Sequence, residues 1–170
     1  MRNSVKILSP CGILGYGFPK ESFISGIEMK PDAIVVDAGS TDAGPHKLGA
    51  GVAIVSRMAM YQDLQMFVEY GVKNGIPVVI GSAGGAGADV HVKWTLDILN
   101  EVLQDAGVTA KVAIVHADIP HEMVMGAVKD GRIRSMGANI PALNQQIVDE
   151  TGDIVAQMGH EPIIKALETG

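Results

Sequence analysis

Two aspartates and two histidines stand where they could move protons. Asp37 closes the apolar run Ala33, Ile34, Val35, Val36, and His116 closes Val112, Ala113, Ile114, Val115. Asp42 and His46 lie in the segment that follows Asp37, Ala-Gly-Ser-Thr-Asp-Ala-Gly-Pro-His-Lys-Leu-Gly-Ala-Gly. A neutral imidazole with a pKa near ~6.5 is the usual proton carrier. A carboxylate at the mouth of a core has its pKa moved by partial burial or a nearby cation. Asp37 therefore reads three ways: as a general base or substrate anchor, as a hard-cation ligand with Asp42, or as an acceptor for the amides of its own loop. No acidic cluster or His-x-x-x-His pattern completes a metal shell, so no metal ligand is assigned. A satisfied structural role stays open for His116, and a solvated role for Lys47, whose alternative is to hold a substrate carboxylate. Cys11, beside a glycine loop, is a nucleophile candidate if its pKa is lowered and a histidine lies next to it. Neither G-x-S-x-G nor another triad signature surrounds Ser9, Ser40 or Ser82.

The second chemical feature is Ile-Pro-Val-Val-Ile-Gly-Ser-Ala-Gly-Gly-Ala-Gly-Ala-Asp at 76–89. Its continuous apolar start reads as a strand covered on both sides. Its glycines free the backbone for positive φ and close approach to a ligand. An amphipathic segment over 91–106 then predicts a helix. Strand, glycine loop and helix start together form an anion site, with amides and the helix dipole facing the loop. The alternative is a tight turn that needs glycine for packing alone. Ser82, Gly84, Gly85 and Gly87 are the ligand-binding candidates here, joined by Ser40, Thr41, His46 and Gly15 from the other loops. Neither G-x-G-x-x-G nor G-x-x-x-x-G-K-[ST] is present, which removes the nucleotide arguments.

The elements that would position these residues follow from periodicity. Short apolar runs predict strands at 5–8, 33–36, 78–80 and 112–115, and helical spacing predicts helices at 21–29, 58–74, 91–106 and 121–130. Strands alternating with helices require parallel pairing. The expected fold is α/β, a Rossmann-like three-layer domain with a mainly parallel sheet. Its loops line one sheet edge, where ligands bind. The stretch 38–51 reads as a long loop, more often functional than not. After Arg132 the β-α rhythm stops, giving an α/β core domain over 1–131 and a helical tail over 132–170, with helices at 142–150 and 161–168.

The 170 residues, 47% of them hydrophobic, suit one globular core, an aliphatic one given 4% aromatics. A net charge of -6 argues against nucleic-acid binding. The single cysteine excludes an internal disulfide, and neither a signal peptide nor an 18-residue apolar run is visible, so a soluble cytoplasmic protein without membrane partners is expected.

The stretches Asp37-Ala-Gly-Ser-Thr-Asp-Ala-Gly-Pro-His-Lys-Leu-Gly-Ala-Gly and Ile80-Gly-Ser-Ala-Gly-Gly-Ala-Gly resemble the acyclic terpene utilisation AtuA family. So do Ile7-Leu-Ser-Pro, Leu14-Gly-Tyr-Gly-Phe-Pro and the closing Gly-His-Glu-Pro-Ile-Ile-Lys-Ala-Leu, so the resemblance runs along nearly the whole chain, as that family's amino-terminal region. It implies breakdown of branched acyclic terpenoids or related carboxylic acids at the acyl-CoA level, and relatives that continue into a second half. Position 46 is aromatic in the family pattern, which weakens His46 and adds weight to Asp37 and Asp42. The expected function is an enzyme or enzyme subunit of catabolism acting on a small branched carboxylate or acyl-CoA. Lyase or hydro-lyase chemistry is expected, with Asp37, Asp42 and His116 as the catalytic candidates. The alternatives are a metal-assisted hydrolase, or a non-catalytic ligand-binding subunit that completes a partner's site. No cofactor is assigned, and a homo-oligomer or a second subunit is the expected partner.

Overall fold

The computed structural model describes residues 4–39, 44–137 and 139–169. In chain order the elements are β1 (Ile7–Leu8), α1 (Lys20–Glu28), β2 (Ala33–Asp37), α2 (Gly44–Ala50), α3 (Arg57–Tyr70), β3 (Val78–Gly81), α4 (Asp89–Asp105), α5 (His121–Lys129), α6 (Gln145–Glu150) and α7 (Glu161–Glu168). The strands form a parallel sheet in the order β1-β2-β3, with Ile7 opposite Ala33 and Ile34 opposite Val78. The protein is thus mixed α/β with a small three-stranded parallel sheet, each crossover carrying a helix.

Alternation along β2 sets the layers, because successive side chains point to opposite faces. Ile34 and Val36 are buried in the main core with Phe23 of α1, Met60, Leu64, Phe67 and Val68 of α3, and Ile98 and Val102 of α4. Ala33 and Val35, in the opposite row, are only half-buried, and Ile7 beside them is 54% exposed. Caps fix α3 on this core. Ser56 accepts the Ala59 N–H at 3.2 Å, and after Tyr70 the chain tightens into a single turn closed by Gly75 at φ 69.

Two expectations about the backbone are corrected. The run 112–115 makes no strand: residues 110–117 join no ladder, and Val112 and Ile114 are 44% and 45% exposed. The reason lies just downstream, where the chain pairs antiparallel with the tail. Ala156 N–H donates to Ala117 O and Ile119 N–H to Ile154 O, both at 2.8 Å, around an Asp118 to Val155 bridge. The stretch 38–51, expected as a loop, contains α2. Pro45 fits its first turn, and Gly51 at φ 62 ends it by donating to Leu48 O.

A second, small cluster joins Val124 and Met125 of α5 to Val148 of α6, with Ile119, Val128 and Ile154 around them. α5, grouped by sequence with the core domain, therefore packs on the tail. No residue of α7 is buried.

Candidate active site

The register of β2 against β3 sets Asp37 opposite Gly81 at the carboxyl edge of the sheet. Asp37 is exposed there, and its Oδ1 accepts the Gly39 N–H two residues on at 2.8 Å, an Asx turn. Gly39 is buried against Ser82: a Cβ built at position 39 would lie 2.6 Å from the Ser82 Cβ. Ser82 is exposed and takes the left-handed conformation, φ 49 and ψ 42, a strained position for a residue with a side chain. Ser40, Thr41 and Asp42 lie outside the described residues.

Beyond Ser82, two glycines are closely packed. Gly84, at φ 68, is buried under His91, and Gly85, at φ 126, meets Ile54; a Cβ at either would approach those residues to 2.8 and 3.0 Å. The amides of Gly85 and Gly87 turn inward to Ser82 O and Ala83 O, at 2.8 and 3.2 Å. The first amide of α4 is also engaged: Asp89 N–H donates to Asp118 Oδ2 at 2.8 Å. An internal carboxylate thus faces the positive end of α4, where the sequence pattern predicts an external anion.

The same edge holds the one pair of side chains with the arrangement of a proton-transfer site among the described residues. His116 Nδ1 lies 2.6 Å from Asp89 Oδ1. A carboxylate only accepts, so Nδ1 carries the proton and Nε2 is the basic nitrogen of the neutral ring. The Asp89 hydrogen bond and then its charge hold the imidazole above its ordinary value, with a smaller contribution from Asp118. The two side chains are 65% and 57% exposed, so the ring is open to a ligand from solvent.

Other candidates are placed elsewhere. His46 is exposed on α2 and Lys47 half-buried in its last turn. Gly15 donates its amide to Asp63 Oδ2 at 2.7 Å and sits under Val55, so it faces α3. Cys11 does not meet the condition for a nucleophile: burial and then the Asp63 charge push the thiol up to about 11. His91 is buried, with Nε2 3.1 Å from Val52 O and Nδ1 without a partner. His121 lies 3.0 Å from Gly152 O. A groove of about 390 Å³ between α5 and α6, lined by His121, Glu122, Lys129 and Asp149 among others, includes none of the sheet-edge residues.

Sequence reasoning missed Asp89 and Asp118 as partners of His116, and Asp63 as the buried anchor of the 15–17 loop. The available signal for Asp63 was an acid between the apolar positions Met60 and Leu64 of an amphipathic helix. No group of three or more His, Cys, Asp or Glu among the described residues is arranged to hold a metal ion. No helix of the described residues is long and apolar enough to cross a membrane. No protein-family model, no curated protein and no solved structure matches the chain.

Proposed function

We propose that this chain is a cytoplasmic enzyme, or a subunit of one, that moves a proton on a small branched carboxylate or acyl-CoA in a lyase or hydro-lyase step. The observation that carries the reading is the His116 to Asp89 pair at 2.6 Å on the carboxyl edge of a parallel sheet. Asp89 fixes the tautomer, and Nε2 of His116 takes a proton from the carbon next to the substrate's carbonyl and returns one to the leaving group or double bond. Asp37, exposed on the same edge, is the second carboxylate within the site, and Asp42 belongs to the same proposal. The substrate class comes from the motif resemblance to the acyclic terpene utilisation AtuA family. That resemblance also motivates association with further copies or a second subunit. The Rossmann-like three-layer architecture is likewise our proposal, supported by the parallel ladder and by the half-buried apolar row Ala33 and Val35.

The test is proton exchange. Branched acyl-CoAs and their free acids are incubated with the protein in deuterium oxide, and loss of the α-proton signal is followed by NMR. Exchange is expected with wild type and should fall by about 10²- to 10⁴-fold in His116→Gln. Undiminished exchange in a folded His116→Gln protein refutes the assignment. Release of free acid and CoA without α-proton exchange, abolished by a chelator and restored by a divalent cation, supports the hydrolase alternative.

A further inference from the structure

Asp89 is held twice, by residues two apart on one extended segment. His116 bonds its side chain at 2.6 Å, and Asp118 accepts its main-chain N–H at 2.8 Å. Residues i and i+2 of an extended chain point to the same side, so His116 and Asp118 both reach α4 while Ala117 turns the other way and is buried. The backbone of the same segment is fixed from the tail. Ala117 O accepts from Ala156 and Ile119 N–H donates to Ile154 O, and Ile119 and Ile154 pack in the cluster of α5 and α6.

An exposed ion pair gains little by itself, because ordering two side chains offsets most of the attraction. The His116 to Asp89 pair is exposed on both sides. Its geometry therefore needs support from the backbone on which both residues stand. The charged groups facing the ring are Asp89 and Asp118.

We infer that Asp118 is a positioning residue for the His116 to Asp89 pair, and that through it the pairing of 117–119 with 154–156 makes the tail part of the site. This rests on the reading of His116 as the proton carrier and adds a role to residues that reading does not use. Asp118 ties the start of α4 to the segment that carries His116. The bridge to Val155 holds that segment in register.

The experiment is an NMR titration of the His116 ring in the full chain, with exchange of the Asp89 amide followed in parallel. Asp118→Asn keeps an oxygen for the Asp89 N–H and removes the charge, whereas Asp118→Ala removes both. Ala156→Pro deletes the N–H given to Ala117 O and changes no charge. The His116 pKa should fall slightly in Asp118→Asn, further in Asp118→Ala and also in Ala156→Pro, with Asp89→Asn setting the lower limit. In wild type the Asp89 amide should exchange more slowly than that of Val90, although first-turn amides are ordinarily unprotected. That last comparison holds even where a variant does not fold. An equal fall in Asp118→Asn and Asp118→Ala with none in Ala156→Pro shows charge alone and overturns the inference, as does an unprotected Asp89 amide. Should these titrations behave as expected while His116→Gln keeps its exchange activity, the proposed function falls and the positioning role stands.

Discussion

A hydrogen bond from Nδ1 to a carboxylate settles which nitrogen of an imidazole is basic and favours the protonated ring. For His116 the folded pKa is raised, so the pair's contribution to stability is complete below the unfolded value of ~6.5 and is lost as pH rises through the folded value. Melting temperatures of wild type and Asp89→Asn should therefore differ most in acid and converge in mild alkali; a constant gap would contradict the pair. Under the proposed function the base must be neutral, so turnover is expected to run the other way and rise with pH through the raised pKa. Cys11 gives a second outcome at this scale. With its thiol pushed up to about 11, little of it is thiolate at neutral or mildly alkaline pH. Iodoacetamide should alkylate native Cys11 far more slowly than the urea-unfolded chain, the rate climbing only in strong alkali. His116 and Asp37 were legible as polar residues closing apolar runs. Asp89 was not, because its partner lies 27 positions away and no local pattern encodes that distance.

Among the elements, the glycine positions separate packing from mere flexibility. A Cβ at Gly39 would sit 2.6 Å from the Ser82 Cβ and 3.1 Å from Gly85 O, so a side chain there forces two strand-end loops apart. Gly39→Ala should cost about 1–3 kcal/mol in urea unfolding. Gly12 has nothing within 4 Å of such a Cβ, and Gly12→Ala should stay within about 0.5 kcal/mol of wild type. Equal losses at the two sites would refute the packing account. The helices were readable in advance because their stripes repeat over several turns; α7 spans Glu161–Glu168, as periodicity predicts. The run 112–115 departs from its strand-like pattern for a physical reason. An apolar β-branched stretch states that a strand is possible, while the ladder belongs to a second stretch, and here the pairing falls on 117–119 and 154–156 instead. α2 was hidden by its glycines and proline, which mark a loop unless they occupy the ends of a short helix, as Gly44, Pro45 and Gly51 do.

At the scale of the molecule, apolar surface is left over. On α7, Ile163, Ile164 and Leu167 are 40%, 46% and 54% exposed, and the end of that helix touches Lys111, next to exposed Val112. Apolar surface that stays contiguous over a few hundred Å² usually finds a partner. Sedimentation velocity should show concentration-dependent association that Leu167→Glu weakens, whereas a monomer at every concentration would count against it. The unpaired run at 112–115 has a further consequence, for the fate of the protein when heated rather than for its work. Valine and isoleucine without a proline or an internal charge make a segment prone to intermolecular cross-β stacking, with Lys111 as the adjacent gatekeeper. Because this segment is already free of a ladder in the native state, clumping does not have to await global unfolding, and thermal scans should be irreversible and scan-rate dependent. Ile114→Lys should restore recovery on cooling while leaving the onset of unfolding nearly where it was.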